Sequence, residues 1–341
     1  MSRTPCVLMT GAGGEMGHGL IERMNRAGQT NIITLDVNPL SPALAKLVRK
    51  EVPGSILDKQ LLERIHSEFE VDTVFHLAAL LSTRSEFSPA LAHSVNVEGT
   101  LNLLEFAQKE GESHGRRVTF FYPSSIAAYG LPDAATKAAA NRVPEDLFNI
   151  PTTMYGVNKL YCEHLGRYYD RNYKQLSADP QAGKIDFRCI RFPGLISADT
   201  VPSGGTSDYA PEMLHAAASG KPYACFVEPE ARIPFMAMPD AVDAILKLVN
   251  ALKASLSRVV YNISAFAPRA DEVEAIVRRA YPKAEITYQL DAKRAAIVRS
   301  WPADVDDTAA RTDWGLNPKY DLTNAFADYL LPAITKRYVS T

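Results

Sequence analysis

The feature that most constrains the fold is a short apolar run that leads directly into evenly spaced glycines. The run "CVLMT", residues 6–10, suits a buried parallel strand. Gly11, Gly14 and Gly17 follow at intervals of three, and an amphipathic segment begins by Leu20. This order of strand, glycine turn and helix predicts a βα unit that binds a dinucleotide, because glycine lets the pyrophosphate come close and the helix N-terminus offers free N–H groups. The spacing is GxxGxxG, so an empty structural turn is the competing interpretation.

A second apolar run, "NIITLDVN" at residues 31–38, contains an acidic residue near its end. Asp36 stands about 20 residues beyond the glycine turn, where a carboxylate accepts hydrogen bonds from the hydroxyls of the adenosine ribose. A carboxylate would also repel a 2′-phosphate, and no arginine follows immediately. The sequence therefore favours NAD over NADP. The competing interpretation is that Asp36 is a solvated loop residue that binds no cofactor.

Strands and helices alternate through the middle of the chain. Residues 71–80 and 116–130 have the composition of buried strands, and residues 94–108 have helical periodicity. The alternation predicts an α/β fold with a Rossmann-type, doubly wound parallel sheet. Because ligands bind such sheets at the carboxyl ends of the strands, we expect the glycine turn, Asp36 and residues 78–80 to share one edge.

The second half of the chain predicts a smaller α/β domain. Residues 240–253 have helical spacing and residues 259–264 alternate like a strand, so this part is expected to return to the first domain. We expect an NAD-binding domain and a substrate-binding domain with the following bounds: 1–195 plus about 236–262 for the first, 196–235 and 263–341 for the second.

Composition limits the classes of partner. The 341 residues include 37 basic and 39 acidic ones, a balance that gives no electrostatic reason to expect nucleic acid or an anionic membrane. The 4 cysteines and 7 histidines are scattered without CxxC or HExxH, so no metal site is expected. An apolar strand already begins at residue 6 and no apolar run reaches membrane-spanning length, so we expect a cytoplasmic protein without a targeting segment.

The stretch "TTMYGVNKLYCEHL", residues 152–165, places Tyr155 one helical turn before Lys159. With 15 tyrosines in the chain, the spacing alone is weak evidence. A free tyrosine has a pKa of about 10 and is a poor base at neutral pH. A nearby ammonium and a positively charged nicotinamide would both lower that pKa. The phenolate could then take the proton of a substrate hydroxyl while hydride leaves the carbon for NAD.

The motifs "GAGGEMG", "HLAAL", "SSIAAYG" and "YGVNK" resemble those of the extended short-chain dehydrogenase/reductases, relatives of the NDP-sugar epimerases, over nearly the whole chain. The resemblance implies a catalytic triad of Ser125, Tyr155 and Lys159. Ser125 is preferred to Ser124 because it stands four residues before Tyr129 in the SSxxxYG pattern, and Ser124 becomes a neighbour that could touch the substrate. The residues that the resemblance assigns to NAD are Gly11, Gly14, Glu15, Met16, Gly17, Asp36, Leu57, Leu77, Ala78, Ala79, Asn96, Tyr155 and Lys159.

Residues 191–242 and 300–318 are long, unusual segments that are similar to the short-chain L-threonine 3-dehydrogenase family. In that family the "GGT(T/S)DYA" loop and the tryptophan of "SWP" line the substrate pocket. The resemblance therefore implies substrate contacts by Ser82, Gly205, Thr206, Ser207 and Trp301. Ordinary structural roles for the loop and the tryptophan are the alternatives.

Two segments depart from the family pattern. An acidic residue usually stands where "PGSILD" has Ser55, and Asp58 lies slightly later, so the expected adenine contacts are those of Ile56 and Leu57. Residues 131–153 are alanine-rich and lengthen the approach to Tyr155. We expect this segment to be a tolerated surface elaboration, although it could also shape or cover the site.

The resemblance implies a metal-independent oxidation of L-threonine by NAD to 2-amino-3-oxobutyrate, by a protein that is commonly a homodimer. One alternative is an NDP-sugar epimerase or dehydratase, or a dehydrogenase of another hydroxy acid. Residues 196–235 contain no basic cluster for a sugar nucleotide. A second alternative is a cofactor-binding scaffold or sensor without catalysis, although such proteins usually lose the tyrosine or the lysine.

Overall fold

The structure is a computed structural model and describes residues 4–177, 183–202 and 204–339. Its centre is a seven-stranded parallel sheet in the order β11-β7-β5-β4-β1-β2-β3. The strands in the described residues are β1 Pro5–Thr10, β2 Ile32–Asp36, β3 Lys50–Pro53, β4 Glu70–His76, β5 Val118–Ser125, β6 Arg142–Val143, β7 Ile185–Phe192, β8 Gly194–Ile196, β9 Tyr223–Cys225, β10 Phe235–Ala237, β11 Val260–Asn262, β12 Ile286–Tyr288 and β13 Asp304–Val305.

Helices cover both faces of this sheet and form most of the second half. They are α1 Glu15–Arg26, α2 Pro42–Ala45, α3 Lys59–Glu68, α4 Ser82–Phe87, α5 Pro89–His93, α6 Gly99–His114, α7 Ala134–Ala140, α8 Met154–Arg171, α9 Tyr209–Ala218, α10 Met238–Asn250, α11 Ala270–Ala280, α12 Ala292–Ser300, α13 Thr308–Trp314, α14 Leu322–Asn324 and α15 Leu331–Val339. Single π-helical turns, Ser94–Glu98 and Ala325–Leu330, precede α6 and α15. Across the described ranges, every helix is too short or too polar to cross a lipid bilayer.

The strand order confirms the predicted doubly wound parallel sheet. From β1 the chain proceeds outward through β2 and β3, and it then returns to the other side of β1 as β4, β5, β7 and β11. The order therefore reverses between β1 and β4, and a ligand crevice opens at such a switch point. Thr10 pairs with Leu35 of β2 and with His76 of β4, so the residues that follow these three strands meet at the same edge.

Burial explains why the predicted strands form where they do. All eight residues of β7 are buried, as a central parallel strand covered on both faces requires. One apolar layer packs α3, α6 and α8 against the sheet, and a second packs α1 and α10 against the opposite face. A third layer lies in the second half and includes α9, α11 and Trp301.

The alanine-rich segment 131–153 lies largely at the surface, since α7 contains no buried residue, but it is also bonded to the second half of the chain. Its β6 pairs with β13, the Leu131 N–H donates to Ser300 O at 2.8 Å, and Lys137 Nζ donates to Val298 O at 3.1 Å. The segment thus packs on the second half and fixes the end of α12. Sequence reasoning missed this because the partners lie more than a hundred residues away. The predicted domain limits stay a prediction, although this segment's contacts go with the second half.

Candidate active site

The glycine turn lies so close to the sheet edge that side chains do not fit there. Gly11 has a φ of +66°, and a Cβ at this position would lie 2.5 Å from Ala78 N. A Cβ on Gly17 would lie 2.4 Å from Ala12 O. Glycine is therefore required at both positions because a side chain has no space there. Gly11 is also required for its left-handed backbone. The structure brings the predicted residues Gly11 and Ala78 into direct contact.

Helix α1 begins immediately after the turn with its first N–H groups free of side-chain caps. Gly14 is the N-cap and carries no side chain that could accept from the first turn. The N-terminus therefore offers donors and the positive end of the helix dipole at the switch point. Glu15 and Met16 open the helix, but the Glu15 carboxylate turns aside and accepts from Thr200 Oγ1 at 2.8 Å. Their backbones suit a pyrophosphate, and the Glu15 side chain does not.

Asp36 stands at the end of β2 beside the glycine turn. Its Oδ2 accepts from Gly13 N at 2.9 Å and its Oδ1 from Asn38 N at 3.0 Å. These two bonds fix the carboxylate where a ribose would meet it. Sequence reasoning did not single out Gly13, although this residue belongs to the same glycine-rich turn as Gly11 and Gly14.

In the segment expected to meet the adenine, the polar side chains of Ser55 and Asp58 accept bonds from nearby backbone N–H groups. Ser55 Oγ accepts from Leu57 N at 3.2 Å, so it shapes its own turn. Asp58 caps α3 through Leu61 N at 2.9 Å, and that role commits its carboxylate to the helix. Ile56 is buried and Leu57 is half-buried, which leaves apolar contact as what this segment can offer to an adenine.

Asn96 contacts the loop that follows β4, and this loop lies at the carboxyl end of the strand. Its Oδ1 accepts from Leu80 N at 2.8 Å, and its Nδ2 donates to Leu80 O at 3.1 Å and to Asn158 Oδ1 at 3.4 Å. The amide is buried and fully engaged. We therefore assign Asn96 to holding the segment of Leu77, Ala78 and Ala79 in place and to joining it to α8.

A buried histidine holds the other end of the same loop. His76 lies between Thr10 Oγ1 and Thr100 Oγ1, each 2.9 Å from a ring nitrogen. Burial and the charge of Lys159 lower the pKa of His76 to about 3, so the ring is neutral. Thr10 Oγ1 in turn accepts from Ala78 N at 3.3 Å. Sequence reasoning missed this network because its members come from three separate elements.

Tyr155 and Lys159 lie on the first two turns of α8, which Thr153 caps through Gly156 N at 3.1 Å. A Cβ on Gly156 would lie 2.0 Å from Ala127 O, so the start of the helix is pressed against the turn after β5. Lys159 Nζ donates to Pro123 O at 2.6 Å and lies 5.4 Å from the centre of the Tyr155 ring. The described residues include no hydrogen-bond partner for the Tyr155 hydroxyl, which is half-buried.

The electrostatics of this pair differ from the prediction. Burial raises the pKa of Tyr155 well above its ordinary value, and it lowers the pKa of Lys159 to about 8. The prediction of a lowered tyrosine pKa is therefore wrong for the protein alone, because desolvation outweighs the effect of the neighbouring lysine. Any lowering must come from charge that enters the site.

The two serines after β5 have different surroundings. Ser125 is half-buried, and its Oγ accepts from Ala127 N at 3.2 Å, which leaves its hydroxyl proton available. Ser124 is buried, and its Oγ donates to Glu163 Oε1 at 2.5 Å. Glu163 also binds Arg191 in a bidentate ion pair, at 2.6 Å for the closer bond. We therefore assign Ser124 to the protein interior and not to the substrate, and Ser125 stays the candidate.

Several of the predicted substrate residues meet where α4 contacts the loop before α9. Thr206 Oγ1 donates to Ser82 Oγ at 3.4 Å, and Thr83 Oγ1 donates to Gly204 O at 3.1 Å. Gly205 is part of the same loop, and Ser207 follows Thr206 at half-buried depth. The N-terminus of α4 and the loop before α9 thus form one polar surface.

Trp301 is buried at the end of α12, and its indole nitrogen has no partner among the described residues. Its neighbour Ser300 lies near the start of α8, since Ser300 Oγ and Thr152 Oγ1 are 3.1 Å apart. Trp301 therefore follows a residue that contacts Thr152, and Thr152 stands three positions before Tyr155. A buried indole N–H without a partner is uncommon and suits the wall of a pocket.

A family model and the sequences of known proteins match most of this chain. The model of the NAD dependent epimerase/dehydratase family matches residues 7–264. The mitochondrial L-threonine 3-dehydrogenase of Bos taurus is 36% identical over 317 residues, which are 93% of this chain and 79% of the relative.

Solved structures agree with that match. L-threonine dehydrogenase from Clostridium difficile is 31% identical, with a TM-score of 0.85 over 99% of this chain and 100% of its own. The GalE-like L-threonine dehydrogenase from Cupriavidus necator, in its holo form, is 35% identical, with a TM-score of 0.83 over 96% of this chain and 99% of its own.

Proposed function

This chain belongs to the NAD dependent epimerase/dehydratase family, and we propose that it oxidises L-threonine at C3 with NAD, giving 2-amino-3-oxobutyrate and NADH. The observation that supports the proposal is the Tyr155 hydroxyl, which has no partner among the described residues and lies beside Lys159, whose ammonium binds Pro123 O in β5. Relatives that are named for this reaction match the chain over more than nine tenths of its length.

The residues at the edge fit a nicotinamide dinucleotide. A Cβ would fill the cradle at Gly11 and Gly17, and the first N–H groups of α1 are free to meet a pyrophosphate. Asp36 offers oxygen acceptors that suit ribose hydroxyls and disfavour a 2′-phosphate. We therefore take the cofactor to be NAD. Dissociation constants for NAD and NADP test this, and a tighter complex with NADP would contradict it.

In the proposed mechanism, Tyr155 takes the proton of the substrate 3-hydroxyl while the C3 hydrogen leaves as hydride. When bound, NAD supplies the hydride acceptor and a positive charge close to the phenol. Lys159 adds a second cation 5.4 Å from the ring and holds its place through Pro123 O. These two charges oppose the desolvation that raises the pKa of Tyr155. Ser125 donates its free proton to the oxygen that becomes a carbonyl.

The substrate-side residues would hold the amino acid. Ser82, Thr206 and Ser207 present hydroxyls and backbone donors that suit a carboxylate, and Trp301 would wall off water during hydride transfer. The same family also contains epimerases, which keep the triad. Incubating the protein with L-threonine and NAD and following NADH absorbance separates the two. Epimerisation of an NDP-sugar without oxidation of L-threonine would contradict the proposal.

The proposal extends to a homodimer that acts in threonine catabolism in the cytoplasm. Helices α4, α5 and α8 pack against one another and carry exposed apolar side chains, which supports self-association. Phe87 is 83% exposed and Tyr161 is 53% exposed. We expect sedimentation to give twice the chain mass and Phe87→Glu to give monomers. Leu176→Glu, at a residue that is 97% exposed elsewhere, is the control that should stay dimeric. A monomeric parent protein would end this part of the proposal.

A further inference from the structure

We infer that Arg294 is a positioning residue for the carboxylate of the substrate, and this rests on the proposed function. Arg294 does not reach the cleft itself. It holds the peptide that joins Gly205 to Thr206, and through that peptide it aims donors at the substrate.

Arg294 is held on several sides. Its guanidinium carbon lies 3.4 Å from the centre of the Phe226 ring, which is buried. Its Nη2 donates to Gly205 O at 2.8 Å and reaches Glu212 Oε1 at 3.4 Å. Glu212 is fixed in turn, because its Oε2 accepts from Tyr223 Oη at 2.9 Å. A planar cation that stacks and donates at the same time has little freedom to move.

Two bonds to Gly205 O, from Arg294 Nη2 and from Asp208 N at 3.1 Å, determine which way the next N–H points. The Gly205 C=O and the Thr206 N–H belong to one planar trans peptide, so they point in opposite directions. Arg294 pulls the carbonyl toward the second half of the molecule, and the N–H of Thr206 therefore faces away from it. Asp208 closes the same turn, since its Oδ2 accepts from Gly205 N at 2.6 Å.

Thr206 carries two donors that suit a carboxylate. Its side chain lies on the cleft side, where Oγ1 is 3.4 Å from Ser82 Oγ. Its N–H has no acceptor within the described ranges, although the residue is buried. Among the described residues no acceptor engages this donor, so it is available to a ligand. The loop also leads into α9, whose N-terminus adds a favourable dipole for an anion.

The charge of Arg294 itself is largely spent within the protein. Glu212 neutralises it at 3.4 Å, so the substrate meets the oriented dipoles of the loop and not an open guanidinium. Helix α12 also ends at Trp301, so the same helix fixes the loop at one end and the indole at the other. Arg294 is thus placed to set the shape of the pocket around the carboxylate.

The test uses three variants of the full-length chain. Arg294→Met removes the bond to Gly205 O, and Arg294→Lys keeps one donor. Arg299 lies on the same helix as Arg294 and pairs with Glu228, which lies outside that helix. Arg299→Met removes this ion pair and is the matched control. We expect Arg294→Met to raise KM for L-threonine about tenfold, with kcat and the dissociation constant of NAD within about twofold. Arg294→Lys should restore KM to within about threefold, and Arg299→Met should leave all three constants unchanged.

1-Amino-2-propanol distinguishes positioning from a general loss of structure, because it keeps the hydroxyl and amine of L-threonine and lacks the carboxylate. As a competitive inhibitor it needs no turnover. Arg294→Met should change its inhibition constant by less than about threefold while KM for L-threonine rises about tenfold. Equal increases for both ligands, or an unchanged KM, would overturn the assignment of Arg294. An unsubstituted protein that does not oxidise L-threonine would overturn the proposed function instead, and the positioning role with it.

Discussion

Two regions of the proposed site are held together in different ways. The cofactor edge is where the glycine turn meets Ala78 and Asp36, and the substrate side is where α4 meets the loop before α9. At the edge, the decisive contacts involve backbone atoms near neighbouring strand ends, such as the approach of Gly11 to Ala78 and the bond from Gly13 N to the Asp36 carboxylate. On the substrate side, they join side chains from segments far apart in the chain, such as Thr206 with Ser82. The first region depends on space, and the second depends on several weak bonds.

This difference predicts how each region responds to change. A single added methyl group at the edge meets backbone that cannot move aside, because the sheet fixes it. A lost hydroxyl on the substrate side removes one bond of modest net strength, and neighbouring donors remain. Tyr155 opens α8, which packs on α4 and on the turn after β5. Four substitutions test this comparison.

The largest effect is expected where the two regions meet. Tyr155→Phe removes the oxygen that takes the substrate proton, so kcat should fall about a thousandfold or more. NAD binding should be retained, because the phenol does not belong to the glycine turn. Stopped-flow rates and titration with NAD measure both quantities. A variant that retains a tenth of the parent kcat would remove Tyr155 from the mechanism, and the sensor alternative would then regain weight.

The next effect tests the edge. Gly11→Ala forces an L-residue into a left-handed conformation, at a cost of about 1–2 kcal/mol, and it also sets a Cβ against Ala78. We expect the dissociation constant of NAD to rise about 100-fold.

Gly220→Ala is the matched control. Gly220 has a similar φ of +67°, but nothing lies within 4 Å of a Cβ there. It should lower stability to a similar degree through the backbone alone and leave NAD binding intact. Equal loss of NAD binding in both variants would show that strain, and not contact with the sheet edge, is what matters.

The third effect is a shift in pH dependence. Lys159→Met removes the cation beside Tyr155, and the pKa of the phenol should therefore rise further. Activity requires the phenolate, so the rising limb of the kcat profile should move to higher pH by about one unit. Burial lowers the pKa of Lys159 to about 8, so the parent loses this cation above that pH. The difference between parent and variant should be largest below pH 8 and should shrink above it.

Lys137→Met controls for the loss of any buried lysine. Burial also lowers the pKa of Lys137 to about 8, but its ammonium donates to Val298 O. Its profile should match that of the parent. A Lys159→Met profile with the parent's shape would refute the electrostatic role of Lys159.

The smallest effect is expected on the substrate side. Ser82→Ala removes the hydroxyl that accepts from Thr206, and KM for L-threonine should rise about three- to tenfold with kcat nearly unchanged. Steady-state kinetics at saturating NAD measure this. A loss of a hundredfold or more would mean that the substrate side is as intolerant as the edge, and the comparison between the two regions would fail.

The same difference explains what could be predicted from the sequence. The edge is local, since a strand, a glycine turn and Asp36 follow one another within about 30 residues, and their pattern alone predicted the parallel sheet and the dinucleotide site. The substrate residues were reached only through family resemblance. No local pattern indicates that residue 82 will lie beside residue 206.

What the sequence did not predict depends on burial by distant segments. The raised pKa of Tyr155 follows from packing around α8, and the commitment of Ser124 to Glu163 depends on Arg191 in another strand. The role of residues 131–153 and that of Arg294 likewise arise from contacts across more than 80 positions. Residue spacing carries no record of such contacts.

The most direct measurement follows the hydrogen on C3. L-Threonine that carries deuterium at C3 is incubated with the protein and NAD, and the reduced cofactor is weighed by mass spectrometry. We predict one deuterium in every NADH molecule, and about a thousandfold less labelled NADH after the same incubation with Tyr155→Phe. Unlabelled NADH, or deuterium transfer that persists at the parent rate in Tyr155→Phe, would contradict the account.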